Sequence, residues 1–165
     1  MTQQPRIAAG SLNFLEIPSG MLDGDNNFRG IAAREIEEET GIKIPSEEAI
    51  DLIELALRDS RVKGPVRNAM YPSPGASDEF IPILLWEKEL DRQTIENLRG
   101  KLTGQSTQGE IVTLRVCDYD VLWREGARDA KSMTAWALYE GLSRAGVLQD
   151  EVEKRKASRG RSSHI

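Results

Sequence analysis

The sequence predicts one mixed domain, α/β in content and built as an α+β sandwich, a mixed β-sheet flanked by helices. Three observations predict it. The chain has 165 residues, the size of a single domain. Its 39% hydrophobic residues against 30% charged supply a core and exclude wholesale disorder. Short apolar runs of strand character alternate with helical patterns, without an internal repeat. The domain is expected over residues 1–149, followed by a polar, disordered tail over 150–165.

Residues 12–17, LNFLEI, read as a strand closed by the turn signal Pro18-Ser19-Gly20. The Asp/Asn/Gly-rich stretch after Gly20 reads as a loop, and residues 29–40 as a helix stopped at Gly41. Residues 51–58 and 80–89 are strand candidates, Pro82 confining the second to an edge, a start or a bulge. A short helix is expected over 91–99 and a polar loop over 100–109. A strand follows over 110–117, and an amphipathic helix from about Asp129 to Arg144.

Composition narrows the chemistry. The one cysteine, Cys117, excludes an internal disulfide framework and points to a reducing compartment, read here as the cytoplasm. The one histidine, His164, stands next to the last residue, so Ser–His and Cys–His catalysis and a Cys/His zinc site lack their parts. No apolar run approaches the roughly 20 residues of a membrane span, and no signal peptide is visible. Net charge is −5, and setting aside the five bases and three acids of residues 150–165 leaves −7 on the body. An acidic body argues against nucleic acid as the main partner. What remains is carboxylates, hydroxyls, Lys/Arg, backbone groups and bound cations.

The stretch REIEEETGI, residues 34–42, concentrates those carboxylates. At 100° per residue, Glu35, Glu38 and Glu39 fall within an arc of about 100°, while Glu37 points elsewhere. Like charges at this spacing destabilise a helix by roughly 0.2–0.5 kcal/mol per pair unless solvated or neutralised. Alone, the run reads as a solvated acidic face; oxygen ligands of this kind also suit Mg²⁺ or Mn²⁺.

Gly20, fourteen residues before Arg34, decides between these readings. The spacing resembles the Nudix box, G-x5-E-x7-R-E-U-x-E-E-x-G-U with U a bulky aliphatic residue, matched at Gly20, Arg34, Glu35, Ile36, Glu38, Glu39, Gly41 and Ile42. Such a coincidence is on the order of 10⁻⁸ per starting position at ordinary residue usage. The mismatch is Asn26 in place of Glu, with Asp23 and Asp25 close enough to replace part of the charge. Outside the box, QPRIAAGSLNFLEIPSG (4–20), YPSPGASDE (71–79), the pair Gly109-Glu110 and DAKSMTAWALYEGL are similar to Nudix hydrolases acting on ADP-ribose and other nucleotide sugars.

The resemblance implies a Nudix fold and hydrolysis of the diphosphate linkage of a nucleoside diphosphate sugar. It implies that Glu35, Glu38 and Glu39, with a backbone carbonyl at Ser19 or Gly20, hold Mg²⁺, or Mn²⁺ in its place. Such ions clamp diphosphate oxygens and lower the pKa of bound water. Arg34 would orient the glutamates by ion pairing, and Gly20 and Gly41 would permit tight turns. The general base is Glu110, or Glu35 in its place. Arg6 would contact the diphosphate, Glu16 the nucleoside or ribose, and Glu79 would border the substrate, with Arg99 and Lys101 as further phosphate contacts. A homodimer is a further expectation.

A non-catalytic Nudix-fold module binding a nucleotide sugar or a protein is the competing reading, favoured by Asn26. An acidic interaction helix in an unrelated domain is the third. Strands that precede Gln4-Pro5-Arg6 in the Nudix fold are not in the sequence, which predicts a sheet lacking its N-terminal strands, with an unpaired edge, and low stability for the isolated chain.

Overall fold

A computed structural model describes residues 1–20, 27–61, 64–103 and 111–162. The lead-in Gln4-Pro5-Arg6 is itself a strand, β1 (Thr2–Arg6), which turns through a tight corner at Gly10 into β2 (Ser11–Glu16). Their antiparallel register is regular from Thr2↔Glu16 to Gln4↔Phe14 and shifts between Gln4 and Arg6. Pro5 occupies that irregularity, where the ladder needs no N–H donor. β1 also pairs with β6 (Val112–Leu114), and β6 with β5 (Leu102–Thr103), giving the order β2-β1-β6-β5. A second sheet consists of β3 (Ile50–Asp51) and β4 (Leu84–Leu85). All described pairings are antiparallel and helices flank both sheets, which is the α+β architecture that the sequence predicts.

The helix of the box is α1 (Phe28–Thr40), one residue longer at its start than expected. Asn27 caps it, its Oδ1 accepting from the Gly30 amide at 3.1 Å. Gly41 ends it in the left-handed region, φ 75°, where a side chain would be strained. Lys101 Nζ donates to the Thr40 carbonyl at 3.1 Å, a cation on the negative end of the helix dipole.

Four expectations change. The loop expected over 100–109 holds β5, Leu102–Thr103, whose backbone pairs with β6. Residues 51–58 form mostly a helix, α2 (Leu52–Leu57), with only Ile50 and Asp51 extended. A short apolar run is ambiguous in period; Asp51 resolves it by accepting from the Ile53 and Glu54 amides at 3.0 and 2.9 Å as an N-cap. Of residues 80–89 only Leu84–Leu85 pair as a strand, since Pro82 interrupts the ladder beyond the isolated bridge Met70↔Ile81. The tail expected to be disordered from residue 150 is helical, forming α6 (Val147–Ser162). Its Glu151 is buried between Arg58 and Arg155, each at 2.7 Å, and Arg155 also donates to the Ala49 carbonyl at 3.0 Å. The net positive charge that suggested a solvated tail is partly spent on this anchor.

α3 (Arg92–Leu98) and α5 (Ala130–Arg144) stand where the sequence places them, and α4 (Tyr119–Glu125) precedes α5. The core gathers Ile50, Leu52, Ile53, Leu55, Ile83, Leu142 and Leu148 from α2, α5, α6 and the smaller sheet. The larger sheet packs Val112 and Leu114 inward, toward α1.

Candidate active site

β2 ends at Glu16, and a short extended segment carries the chain to Gly20. There the backbone meets α1 at close quarters. A Cβ on Gly20 would lie 2.3 Å from Cγ of Glu35, 2.5 Å from its Cδ and 2.8 Å from its Oε1. A larger residue would force the Glu35 side chain aside, so glycine lets the backbone segment and the carboxylate lie side by side.

The three box glutamates differ in exposure along one helix face. Glu39 is buried at 7%, Glu35 is half-buried and Glu38 is exposed. Ile31, also buried, lies on the same side of α1, so the carboxylate stripe is turned toward the protein at its inner edge and toward water at its outer edge. Glu37 is exposed on another face. Among the described residues no three acidic, histidine or cysteine side chains are already drawn together to hold an ion. Mg²⁺ does not require such a cage, since it keeps several waters and takes one or two carboxylates together with substrate oxygens. An all-oxygen donor set beside a bare glycine backbone therefore fits it.

Glu16 and Arg6 occupy a different place. Glu16 is 1% exposed, its Oε1 accepting from Gln4 Nε2 and Arg6 Nε at 2.8 Å, its Oε2 from Lys131 Nζ at 2.9 Å. Lys131 also reaches Asp129 Oδ1 at 3.0 Å, and Ser132 Oγ donates to Asp129 Oδ2 at 2.7 Å. Glu16 thus faces inward, and the partly exposed guanidinium of Arg6 is the part of this group that a ligand can reach. Burial alone would raise the Asp129 carboxyl, but the Ser132 and Lys131 bonds outweigh it and hold it below its ordinary value. Burial would likewise lower the Lys131 ammonium, and its bonds to Glu16 and Asp129 hold it above. Sequence reasoning did not single out Asp129, Lys131 or Ser132. Their signal was present in the DAKS opening of α5, an N-cap aspartate followed by a lysine with little reason to be buried.

The other candidates are dispersed. Arg34 is exposed and, among the described residues, makes no salt bridge, so the expected pairing with the glutamates is not seen. Glu79 is exposed in the loop before Phe80. Lys101 caps α1, and Arg99 lies against Glu96 at 3.2 Å. Glu110, with Asp23, Asp25, Asn26 and His164, lies outside the described residues. A cleft of about 390 Å³ opens at the N-terminal end of α1, where Phe28 and Phe80 meet edge to face and Arg67 stacks 4.7 Å from the Phe80 centroid. It lies roughly 15 Å of helical rise from Glu38 and is separate from the carboxylate stripe.

In sequence the chain is similar to a Nudix hydrolase. The chain is 37% identical over 152 residues to the protein named Nudix hydrolase 14, chloroplastic, of Arabidopsis thaliana. That match covers 92% of this chain and 47% of the relative, so the chain spans about half the relative's length. No family model matches the chain, and no solved structure matches it significantly.

Proposed function

We propose that the chain is a Nudix pyrophosphohydrolase that cleaves a nucleoside diphosphate sugar, of ADP-ribose or ADP-glucose type, into a nucleoside monophosphate and a sugar phosphate. The observation that carries the reading is the contact between Gly20 and Glu35, which brings the two distant halves of the box together. Glu35, Glu38, Glu39 and the backbone at Gly20 are the groups that would hold Mg²⁺, with Mn²⁺ able to replace it. When bound, the ion supplies charge neutralisation for the diphosphate and acidifies water. Glu35, half-buried against Gly20, or Glu110 serves as general base, while the exposed side of Arg6 offers a guanidinium to the diphosphate. No helix among the described residues is long and apolar enough to cross a membrane; a reducing, aqueous compartment such as the cytoplasm suits the single thiol. A homodimer is favoured by Ile7 and Leu12, 74% and 70% exposed at the tip of the β1–β2 edge hairpin.

The test is incubation of the folded protein with ADP-ribose, ADP-glucose and UDP-glucose, with and without Mg²⁺. Release of nucleoside monophosphate from at least one, only with the cation, supports the reading; no turnover of any rejects it. A second reading, a module that binds without cleaving, is favoured by the lack of a preformed cluster among the described residues. Calorimetry showing nucleotide-sugar binding with negligible turnover would select it.

A further inference from the structure

Between Glu16 and Gly20 lie only Ile17, Pro18 and Ser19, and both ends of this segment are held. At the far end Gly20 rests on Glu35. At the near end Glu16 is fixed by Gln4, Arg6 and Lys131, and the Ile17 amide donates to Ser132 Oγ at 3.1 Å. Ser132 is 1% exposed, with both faces of its hydroxyl in use: it accepts from Ile17 and donates to Asp129 at 2.7 Å. Asp129 in turn accepts from the Ser132 amide at 3.0 Å as the N-cap of α5. Gly126 at the end of α4 makes room for this serine, since a Cβ there would come within 2.6 Å of Ser132 Cβ.

The cluster holds two carboxylates, Glu16 and Asp129, against two cations, Arg6 and Lys131, joined by short hydrogen bonds. Apart from the exposed side of Arg6, its members are closed on one another, which makes the cluster a rigid anchor. Pro18 restricts the backbone just beyond that anchor, and three residues to Gly20 span at most about 10 Å. The position of Gly20 relative to Glu35 is therefore set from α5 through Ser132.

We infer that Ser132, supported by Asp129 and Lys131, is a positioning residue for the cation site, acting through Ile17 and Pro18 to hold the Gly20 backbone against Glu35. The inference rests on the metal-dependent reading above and adds to it a determinant outside the box. Loss of the Ser132 hydroxyl leaves every carboxylate in place but lets the Gly20 segment drift. Direct hydrogen-bond partners of metal ligands are worth roughly 10–100-fold in affinity, and Ser132, acting at one remove through Ile17, is assigned the lower end.

The test is Mn²⁺ binding to the full chain by titration calorimetry, at a temperature where circular dichroism shows each variant folded. Ser132→Ala is expected to weaken Mn²⁺ binding about tenfold, and Lys131→Met to weaken it by a smaller factor. Leu142→Ala and Ile53→Val, which alter the core without touching the anchor, are expected to lower Tm while keeping the wild-type Mn²⁺ affinity. Wild-type affinity in both Ser132→Ala and Lys131→Met overturns the inference, as does equal weakening in the core variants. If the wild type binds Mn²⁺ and only the anchor variants fail to differ, the metal reading survives and the positioning role does not. If the wild type binds no Mn²⁺, both fall.

Discussion

Two acidic regions, one around Glu16 and one along α1, have opposite designs. Around Glu16 the carboxylate is buried, met by Arg6 and Lys131, and locked to the start of α5. Along α1, three carboxylates grade from buried Glu39 through half-buried Glu35 to exposed Glu38, with a glycine backbone pressed against the middle one. The first region satisfies its charge from within the chain and so serves as a fixed point. The second opens toward water on one edge, at Glu38, and under the proposed function a hydrated cation and an anionic substrate enter there. What distinguishes the two regions is exposure: the first is closed over its carboxylates, and the second reaches water at Glu38.

That contrast predicts a graded response to substitution. Removing a glutamate from the open stripe should have the greatest consequence: Glu38→Gln is expected to lower the Mg²⁺-dependent rate by roughly 100-fold or more, at least the upper end of what loss of an outer ligand partner costs. Glu37→Gln, one residue away and on another face, is expected to leave the rate within a factor of about two, so equal losses in the pair would reject the helical-face argument. Gly20→Ala comes next, because its Cβ would sit 2.3 Å from Glu35 Cγ and one of the two must move. It is expected to lower activity more than stability, with a stability cost of about 1–3 kcal/mol by denaturant titration.

Glu151 tests the same distinction at a third carboxylate, one that is held by cations and has no part in the site. Burial would raise its carboxyl, but the bonds from Arg155 and Arg58 outweigh that and hold it below the ordinary value. A lowered folded-state value means that its stabilisation is complete above the unfolded glutamate range, near pH 4.5, and is lost as pH falls through the folded value. Glu151→Gln should therefore lose stability at neutral pH, by about 1–2 kcal/mol given the exposure of Arg58, and show a shallower decline on acidification than the wild type, with activity per folded molecule unchanged. The smallest effect is expected from Gly41→Ala, about 1 kcal/mol from the left-handed backbone at φ 75°, read as a lowered Tm.

The parts of this molecule that sequence reasoning reached are those with a local physical signature. α1 is visible because a terminal glycine and a carboxylate period lie within a few residues of each other. β2 and α5 are visible through apolar patterning. The run at 51–58 misleads because LIELAL fits either period, and Asp51 decides through hydrogen bonds that the run itself does not display. The end of the chain misleads in the other direction. Its charge suggests solvation, yet Glu151 and Arg155 find Arg58 and the carbonyl of Ala49 nearly a hundred residues away. The site divides in the same manner: spacing identifies Gly20 and the glutamates, whereas the Glu16–Ser132 anchor depends on pairing across 115 residues. Long-range partners leave only weak traces in a single sequence, here a serine and a lysine at the head of a helix.

The open stripe is proposed to work through a divalent cation on a diphosphate. The direct measurement is release of nucleoside monophosphate from ADP-ribose by the folded chain during a titration with Mg²⁺, started from protein stripped with a chelator. A rate near zero without the ion, rising to saturation as it is added and abolished again by chelator, is the expected result. Hydrolysis indifferent to the chelator, or none at any Mg²⁺ concentration in a sample shown to be folded, would contradict it.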